Sequence, residues 1–237
     1  MDLSHQIDKR LVLCLAEFRD LRKYNPRHRP FAIELLGTPK SGKTTTAEAI
    51  EHSLKRNKWK VTARPEGATV VDRIKRDTPH YNLQTCRYAL SELADRVDSD
   101  LELVILDRGL MDGMVWMDYW LRKKKLSESD YAKALAFYGM DVLRDQFDLH
   151  VFLVCEPAVA LQRELARRRD KKDGETMNPK SLQTLHEIHD DLWKKLGGAD
   201  DPRMARHDSS KENEEQTLDA VLLQVVEAFE RRLKTLK

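Results

Sequence analysis

A glycine-rich segment that ends in lysine and threonine is the feature of the sequence best suited to do chemistry. Residues 37–44 read Gly-Thr-Pro-Lys-Ser-Gly-Lys-Thr and match the pattern GxxxxGK[ST], with an apolar run before them and a helical pattern after them. The backbone N–H groups of such a loop surround phosphate oxygens, and the positive end of the following helix adds to the attraction. We therefore predict a nucleotide site in which Lys43 reaches the β- and γ-phosphates and Thr44 offers its hydroxyl to Mg²⁺. The predicted nucleotide-binding residues are Gly37, Thr38, Pro39, Lys40, Ser41, Gly42, Lys43, Thr44 and Thr45.

A second acidic position follows another apolar run, Leu103-Val104-Ile105-Leu106, and is occupied by Asp107. The carboxyl ends of parallel strands meet at one edge of a sheet, so Asp107 is predicted to lie beside the loop and to bind Mg²⁺. The next residue is Arg108, where ATPases that drive motion usually have a glutamate that activates water. Arginine cannot act as a base and suits a phosphate oxygen, which favours transfer to a bound acceptor over hydrolysis. The alternative is a simple surface ion pair at the end of a strand.

A basic segment lies further along the chain. Residues 163–172 contain six basic and two acidic residues, and Gly174 and Asn178-Pro179 then interrupt the helical pattern. We interpret residues 163–178 as a lid that closes over the nucleotide. Arg163 and Arg167 are four residues apart and share a helix face, so both are candidates to stabilise a transferring phosphoryl group. The alternatives are a solvated basic face and a nucleic-acid patch.

The elements that must position these residues alternate between strand and helix, which indicates a mainly parallel α/β sheet with right-handed crossovers and helices on both faces. We predict a single P-loop domain over residues 31–237, preceded by an N-terminal helical extension over residues 1–30. Five strands are predicted at 31–36, 59–63, 101–106, 149–155 and 203–207. Helices are predicted at 3–23, 43–57, 83–97, 128–146, from 157 onward, 180–196 and 216–233.

Composition narrows the class of protein. The 237 residues include 41% hydrophobic and 35% charged side chains with a net charge of +2, which disfavours global disorder. A nearly balanced charge creates no general field for nucleic acid or anionic membrane, and no apolar run approaches the ~18 residues of a membrane span. The three cysteines form no metal-binding spacing, which indicates buried free thiols in a reducing compartment. We therefore expect a cytoplasmic protein that binds neither membrane nor, as its main partner, nucleic acid.

Residues 31–230 resemble the thymidylate kinase and deoxynucleoside kinase branch of the P-loop nucleoside and nucleotide kinases. The resemblance rests on the loop Gly-Thr-Pro-Lys-Ser-Gly-Lys-Thr-Thr, on Ala-Arg-Pro-Glu-Gly at 63–67, on Asp-Arg-Gly at 107–109 and on the basic helix after Glu156-Pro157. It departs from the family pattern in three ways. Pro39 takes the place of an acidic residue in the loop, Pro65 and Glu66 stand in exchanged order, and Gly109 lacks the side chain usual at its position.

The resemblance implies a three-layer α/β/α P-loop fold with a basic lid and assigns roles to particular residues. Lys43, Thr44 and Asp107 would hold ATP with Mg²⁺. Arg64, Arg87 and Arg108 would contact a small phosphoryl acceptor, and these three arginines are expected to converge on one pocket. Glu66 would act as a base if the acceptor is a hydroxyl.

The expected activity is transfer of the γ-phosphoryl group of ATP to a nucleoside, a nucleoside monophosphate or a similar small metabolite. Two other classes stay open at this point: a P-loop ATPase or switch without a small acceptor, and a kinase that acts on nucleic-acid ends. A homodimer is a further prediction, and the N-terminal helix is either a dimerisation element or a cap over the sheet. The apolar cluster after Gly109 indicates helix core or a dimer face, with an apolar acceptor pocket as the alternative. It comprises Met111, Met114, Trp116, Met117, Tyr119 and Trp120.

Overall fold

Five parallel strands form the sheet of the computed structural model, which describes residues 3–25, 28–95, 100–167 and 176–237. The strand order is β2-β3-β1-β4-β5, and every neighbouring pair is parallel. Because all strands run the same way, their carboxyl ends lie together at one edge. The strands are β1 Phe31–Leu36, β2 Val61–Arg64, β3 Leu103–Asp107, β4 Leu149–Val154 and β5 Met204–Asp208.

Helices connect the strands, and most of them match the prediction. The helix α4 begins at Pro79, earlier than predicted, and the predicted helix at 128–146 is two helices that separate at Gly139 and Met140. The sequence analysis gives no bounds for two helices, the short one at Gly67–Val70 and the buried one at Leu110–Arg122. The helices are α1 Leu3–Tyr24, α2 Lys43–Arg56, α3 Gly67–Val70, α4 Pro79–Asp95, α5 Leu110–Arg122, α6 Glu128–Tyr138, α7 Asp141–Arg144, α8 Pro157–Arg167, α9 Pro179–Lys195 and α10 Glu214–Leu236, with a 3-10 turn at Gly198–Asp200.

The helices cover both faces of the sheet and form two apolar layers. The side chains of β1 alternate between them: Phe31, Ile33 and Leu35 pack with α1, α2 and α10, while Ala32 and Leu36 pack with α4, α5 and α9. All six residues of β1 are buried, as expected for a central strand. The apolar stripe of α1 belongs to the first layer, so the predicted N-terminal extension is packed into the core.

A cluster of charged residues closes the amino edge of the sheet. The carboxylate of Asp148, just before β4, accepts hydrogen bonds from Arg29 at 2.8 and 3.0 Å, from Arg232 at 2.9 Å and from the backbone N–H of Ala32 at 2.8 Å. The Arg232 guanidinium lies 4.6 Å from the ring centroid of Phe31, and its burial lowers its pKa to about 10. This cluster joins α10 and the segment before β1 to the sheet.

Within the described ranges, every helix is too short or too polar to span a lipid bilayer.

Candidate active site

The candidate site lies at the carboxyl edge of the sheet, where the segments that follow the five strands meet. A cavity of about 840 Å³ opens there. Its wall contains loop residues 39–45, Glu66 after β2, Arg108 after β3, Arg163 on α8 and Ser209 after β5, together with the beginning of α10. Most of the predicted nucleotide-binding loop therefore shares one cavity with three of the predicted catalytic residues outside the loop.

Backbone conformations that favour glycine shape the phosphate loop. Gly37 has a φ angle of 149°, and a Cβ atom there would lie 1.7 Å from the carbonyl oxygen of Leu153 on β4. Gly42 has a φ angle of 101° and is the N-cap residue of α2, where glycine offers no side chain to cap the helix. The hydroxyl of Thr38 accepts a hydrogen bond from the N–H of Cys155 at 2.9 Å, which fixes the loop against the end of β4. The free N–H groups of α2 can therefore face an anion.

Lys43 is buried beneath the loop. Its ammonium donates hydrogen bonds to the carbonyl oxygens of Gly37 at 3.1 Å and Thr38 at 2.7 Å. Burial lowers the pKa of Lys43 to about 8, and the positive charge of Arg108 acts in the same direction. A buried cation of this kind gains strongly from a nearby anion, so the loop is suited to bind phosphate.

Thr44 and Asp107, the two predicted metal ligands, touch each other. The Thr44 hydroxyl donates to Oδ2 of Asp107 at 2.5 Å, and Oδ1 of Asp107 is buried without a hydrogen-bond partner among the described residues. An orphaned carboxylate oxygen beside a hydroxyl suits Mg²⁺, which commonly takes one or two protein oxygens and completes its shell with water and phosphate. In the described part of the chain, no cluster of three or more His, Cys, Asp or Glu is arranged to hold a metal. The residues present thus fit a nucleotide-bound Mg²⁺ ion.

Arg108 lies between two carboxylates at the floor of the site. Its Nε is 2.6 Å from Oε1 of Glu66, and its Nη1 is 3.0 Å from Oδ1 of Asp112. Burial disfavours the charge of Arg108, but Asp112, Glu66 and Asp107 together outweigh burial and raise its pKa. Burial raises the pKa of Asp112 to about 6, although Arg108 opposes this shift. Arg108 has a φ angle of 65°, which is uncommon for a residue with a side chain.

Arg64 and Arg87 do not share this cavity. Arg64 forms an ion pair with Glu92 on α4, with 2.7 Å between Nε and Oε2. Arg87 is exposed, hydrogen-bonds Gln84 at 3.4 Å, and lines a separate cavity of about 410 Å³ that lies between α4 and residues 70–74. The expected convergence of three arginines is therefore not observed in the described structure. The physical reason is that a carboxylate on α4 holds Arg64, while the position of Arg87 on α4 directs it to the second cavity.

Arg163 contacts the loop itself. Its guanidinium donates to the carbonyl oxygen of Lys40 at 3.0 Å and to the hydroxyl and carbonyl oxygens of Ser209 at 3.1 and 2.6 Å. A second connection joins Lys40 Nζ to Glu164 at 2.7 Å. Residues 168–175 of the predicted lid and the side chain of Arg167 lie outside the described residues, so their proposed role stays a prediction.

Sequence reasoning missed Glu34 and His150, which lie directly behind the site. Glu34 is fully buried in β1, and its carboxylate accepts hydrogen bonds from the backbone of the turn that carries Arg108. A Cβ atom at Gly109 would lie 2.8 Å from Cδ of Glu34, so a larger residue there would displace the Glu34 carboxylate. One charged residue in an otherwise apolar strand was the available indication.

The apolar cluster after Gly109 is helix core. Five of its members are buried in the layer formed by α4, α5 and α9, and Trp116 is partly buried against it. The buried five are Met111, Met114, Met117, Tyr119 and Trp120. The helix-core interpretation of this cluster is confirmed.

A parallel sheet with a phosphate loop after its central strand and helices on both faces defines a three-layer P-loop fold. A family model described as an AAA domain matches residues 32–198, which is more than half of the chain. The chain therefore belongs to this AAA domain family. No curated protein is significantly similar in sequence.

Solved structures of deoxyadenosine kinase from M. mycoides share the fold. The structure with the products dCMP and a flexible dCDP has a TM-score of 0.61 and 17% sequence identity, and the match covers 82% of this chain and 98% of that chain. The structure with bound dATP has a TM-score of 0.56 and 18% identity, covering 82% and 99%. The structure with bound dCTP has a TM-score of 0.56 and 17% identity, covering 82% and 98%. The predicted P-loop kinase fold is confirmed.

Proposed function

We propose that this protein is an ATP-dependent kinase that transfers the γ-phosphoryl group of ATP to a hydroxyl of a nucleoside. One observation carries the proposal: a single cavity joins the phosphate loop to a carboxylate, Glu66, and a cation, Arg108. The site thus contains the groups needed to bind a nucleotide and to act on a second molecule beside it. The deoxynucleotides bound to the structurally similar deoxyadenosine kinase support this choice of acceptor.

On the donor side, the loop N–H groups and Lys43 bind the phosphates of ATP. Thr44 and Oδ1 of Asp107, which has no hydrogen-bond partner among the residues described, would hold Mg²⁺, which when bound neutralises charge on the phosphate oxygens. The Lys43 ammonium donates to two loop carbonyl oxygens in the free protein, and it would exchange these hydrogen bonds for phosphate oxygens when ATP binds.

On the acceptor side, Glu66 accepts the proton of the attacking hydroxyl. The hydroxyl oxygen forms a bond to the γ-phosphorus, the bond from that phosphorus to the β–γ bridging oxygen breaks, and ADP leaves. Arg108 holds Glu66 through their 2.6 Å contact and can bind an equatorial oxygen of the moving phosphoryl group.

The charges around the cavity favour a neutral hydroxyl acceptor over a nucleoside monophosphate. A monophosphate brings about two negative charges at pH 7 and needs cations to receive them. Arg108 is already shared by two carboxylates, Arg64 is paired with Glu92, and Arg87 lines the other cavity. A nucleoside has no such requirement, and its hydroxyl gives Glu66 a proton to accept.

The setting we propose is cytoplasmic, with a small molecule as the main partner. Cys14, Cys86 and Cys155 are free and buried, which suits a reducing compartment. The alternative of an ATPase without an acceptor is less favoured, because Arg108 stands where a water-activating glutamate would be expected. A homodimer stays a prediction.

A coupled assay of ADP release tests the proposal. Wild-type protein is assayed with ATP and Mg²⁺ alone, then with nucleosides, and then with nucleoside monophosphates. Nucleosides should accelerate ADP release, and Lys43→Ala should abolish it. Lys55→Ala is the matched control, because Lys55 lies on the same helix, is largely exposed and pairs only with Glu51 among the described contacts.

Two results would contradict the proposal. Rapid ADP release that no acceptor accelerates would identify an ATPase. If only monophosphates accelerate ADP release, and Glu66→Gln does not change this acceleration, the acceptor group is a phosphate and the reaction needs no base.

A further inference from the structure

Glu34 is a carboxylate in the middle of the central strand of the sheet. It is 0% exposed, and its five neighbours in β1 are all apolar and buried. Removing a carboxylate from water is costly, and an apolar residue of similar size would usually stabilise such a strand at least as well. A contribution to the stability of the sheet is therefore a poor explanation for Glu34, so its contacts are informative.

The carboxylate of Glu34 serves as the N-terminal cap of α5. Oε1 accepts hydrogen bonds from the N–H groups of Gly109 at 2.9 Å and Asp112 at 3.0 Å, and Oε2 accepts one from Met111 at 3.2 Å. The residue at the N-cap position is Gly109, which has no side chain that could do this. A charge from the neighbouring strand thus satisfies the free N–H groups and meets the positive end of the helix.

His150 holds the carboxylate from the other side. It lies on β4, is 2% exposed, and its Nδ1 is 3.0 Å from Oε2 of Glu34. The pair therefore connects β4 and β1 to the turn after β3. This connection is continuous from the middle of the sheet to the edge where the candidate site lies.

The turn that Glu34 holds contains the two site residues contributed by β3. Asp107 ends the strand, and Arg108 follows with its unusual φ angle of 65°. Glu34 also binds the backbone of Asp112, whose carboxylate in turn binds the Arg108 guanidinium at 3.0 Å. Displacing this turn would move both the metal ligand and the cation at the reacting phosphate.

We infer that Glu34 is a positioning residue for phosphoryl transfer, oriented by His150, and that it acts by holding the turn 107–112. The inference rests on the proposed kinase function, because Arg108 has a catalytic role only there. Glu34 contacts neither nucleotide nor acceptor in this role. Loss of Glu34 should therefore lower kcat while leaving ATP binding by the loop almost unchanged.

Two variants test this role. Glu34→Gln keeps the shape of the side chain but has only one side-chain oxygen that can accept a hydrogen bond. The double variant Glu34→Leu/His150→Leu replaces the pair by apolar side chains that suit buried strands. The control is Asp148→Asn, because Asp148 is also a buried carboxylate that accepts a backbone N–H and arginine hydrogen bonds, but at the amino edge of the sheet. The readouts are kcat, the KM for ATP, chemical unfolding, and hydrogen exchange of the amides at 109, 111 and 112.

Both Glu34 variants should lose about 10- to 100-fold in kcat, because a displacement on the order of 1 Å has effects of that size. Their KM for ATP should stay within about twofold of wild type, since the loop 37–44 keeps its own contacts. The three amides should exchange faster in both. Asp148→Asn should lose stability with kcat and these amides unchanged.

The inference is overturned if the double-leucine variant folds and keeps the kcat of the wild type. If the double-leucine variant does not fold, a wild-type kcat in Glu34→Gln overturns the inference instead. If the wild type phosphorylates no acceptor, the proposed function fails, and hydrogen exchange still reports on Glu34. Unchanged exchange of the three amides then overturns the inference independently.

Discussion

Replacing Arg163 distinguishes a role in holding the phosphate loop from a role in stabilising the transferring phosphoryl group. The sequence indicated a lid arginine that stabilises the transferring phosphoryl group, but the guanidinium makes three hydrogen bonds to Lys40 and Ser209. These bonds join the phosphate loop to the segment after β5. We therefore predict that Arg163→Ala weakens the fold and ATP binding more than it weakens the chemical step.

The contacts set the size of the effect. Hydrogen bonds from a charged donor contribute about 1.5–3 kcal/mol each when buried, but these are partly exposed, so about 1 kcal/mol each is the appropriate value. Arg163→Ala should thus lower the free energy of unfolding by about 2–3 kcal/mol. Arg163→Lys has a single ammonium, retains about one bond, and should lose about 1–2 kcal/mol. If about half of the alanine effect falls on the loop, the KM for ATP should rise about 5- to 10-fold.

Chemical denaturation and steady-state kinetics measure these quantities on the same samples. Arg206→Ala is the matched control, because Arg206 lies on β5 close to Ser209 in sequence but pairs with Asp190 away from the loop. It should leave the KM for ATP unchanged. If Arg163→Ala keeps its stability and its KM but loses kcat, the guanidinium acts on the transition state, and the structural reasoning is wrong.

Three further predictions concern the phosphate loop and the predicted metal ligand beside it. Gly37→Ala should fail to fold or lose at least about 3 kcal/mol of unfolding free energy in thermal denaturation, because its Cβ would meet the Leu153 carbonyl oxygen at 1.7 Å, which is backbone and cannot move aside. Asp107→Asn should lower kcat by at least about 100-fold and raise the Mg²⁺ concentration needed for half-maximal rate, whereas a changed affinity for ATP measured without Mg²⁺ would count against a metal-ligand role. Burial lowers the pKa of Lys43 to about 8, so its positive charge is present below pH 8 and is lost above it. Titrations should therefore show the affinity for ATP falling by up to about tenfold per pH unit above pH 8. An affinity that stays constant up to pH 10 would refute the assignment of Lys43 as the phosphate-binding cation.

The strands and the phosphate loop were predictable because local sequence determines them. The strand β1 is a short apolar run between Pro30 and a glycine, and its observed limits are the predicted ones. The loop follows from residue types at fixed spacing. By contrast, no boundaries were predicted for α5, because it is buried on most sides and its apolar residues form no single stripe.

The acceptor side was less predictable because it depends on pairs that are distant in sequence. Glu34 contacts the backbone of Gly109 across 75 positions, and Arg64 contacts Glu92 across a helix and a loop. Spacing along the chain contains no information about such pairs. The motifs could therefore identify Arg64 and Arg108 as candidates for the site. Only the fold shows that Arg64 has a carboxylate partner outside the site.

The Asp148 cluster has a consequence for protein engineering. It stabilises the amino edge of the sheet, whereas the phosphate loop, Glu66 and Arg108 all lie at the carboxyl edge. Enzymes often lose activity when their strained catalytic region is made more rigid. Here the region around Asp148, Arg29 and Arg232 can be optimised for heat resistance without touching the residues that face the cavity. Libraries for thermostability and libraries for acceptor choice can accordingly target opposite ends of the same strands and be combined afterwards, since distant substitutions tend to be additive.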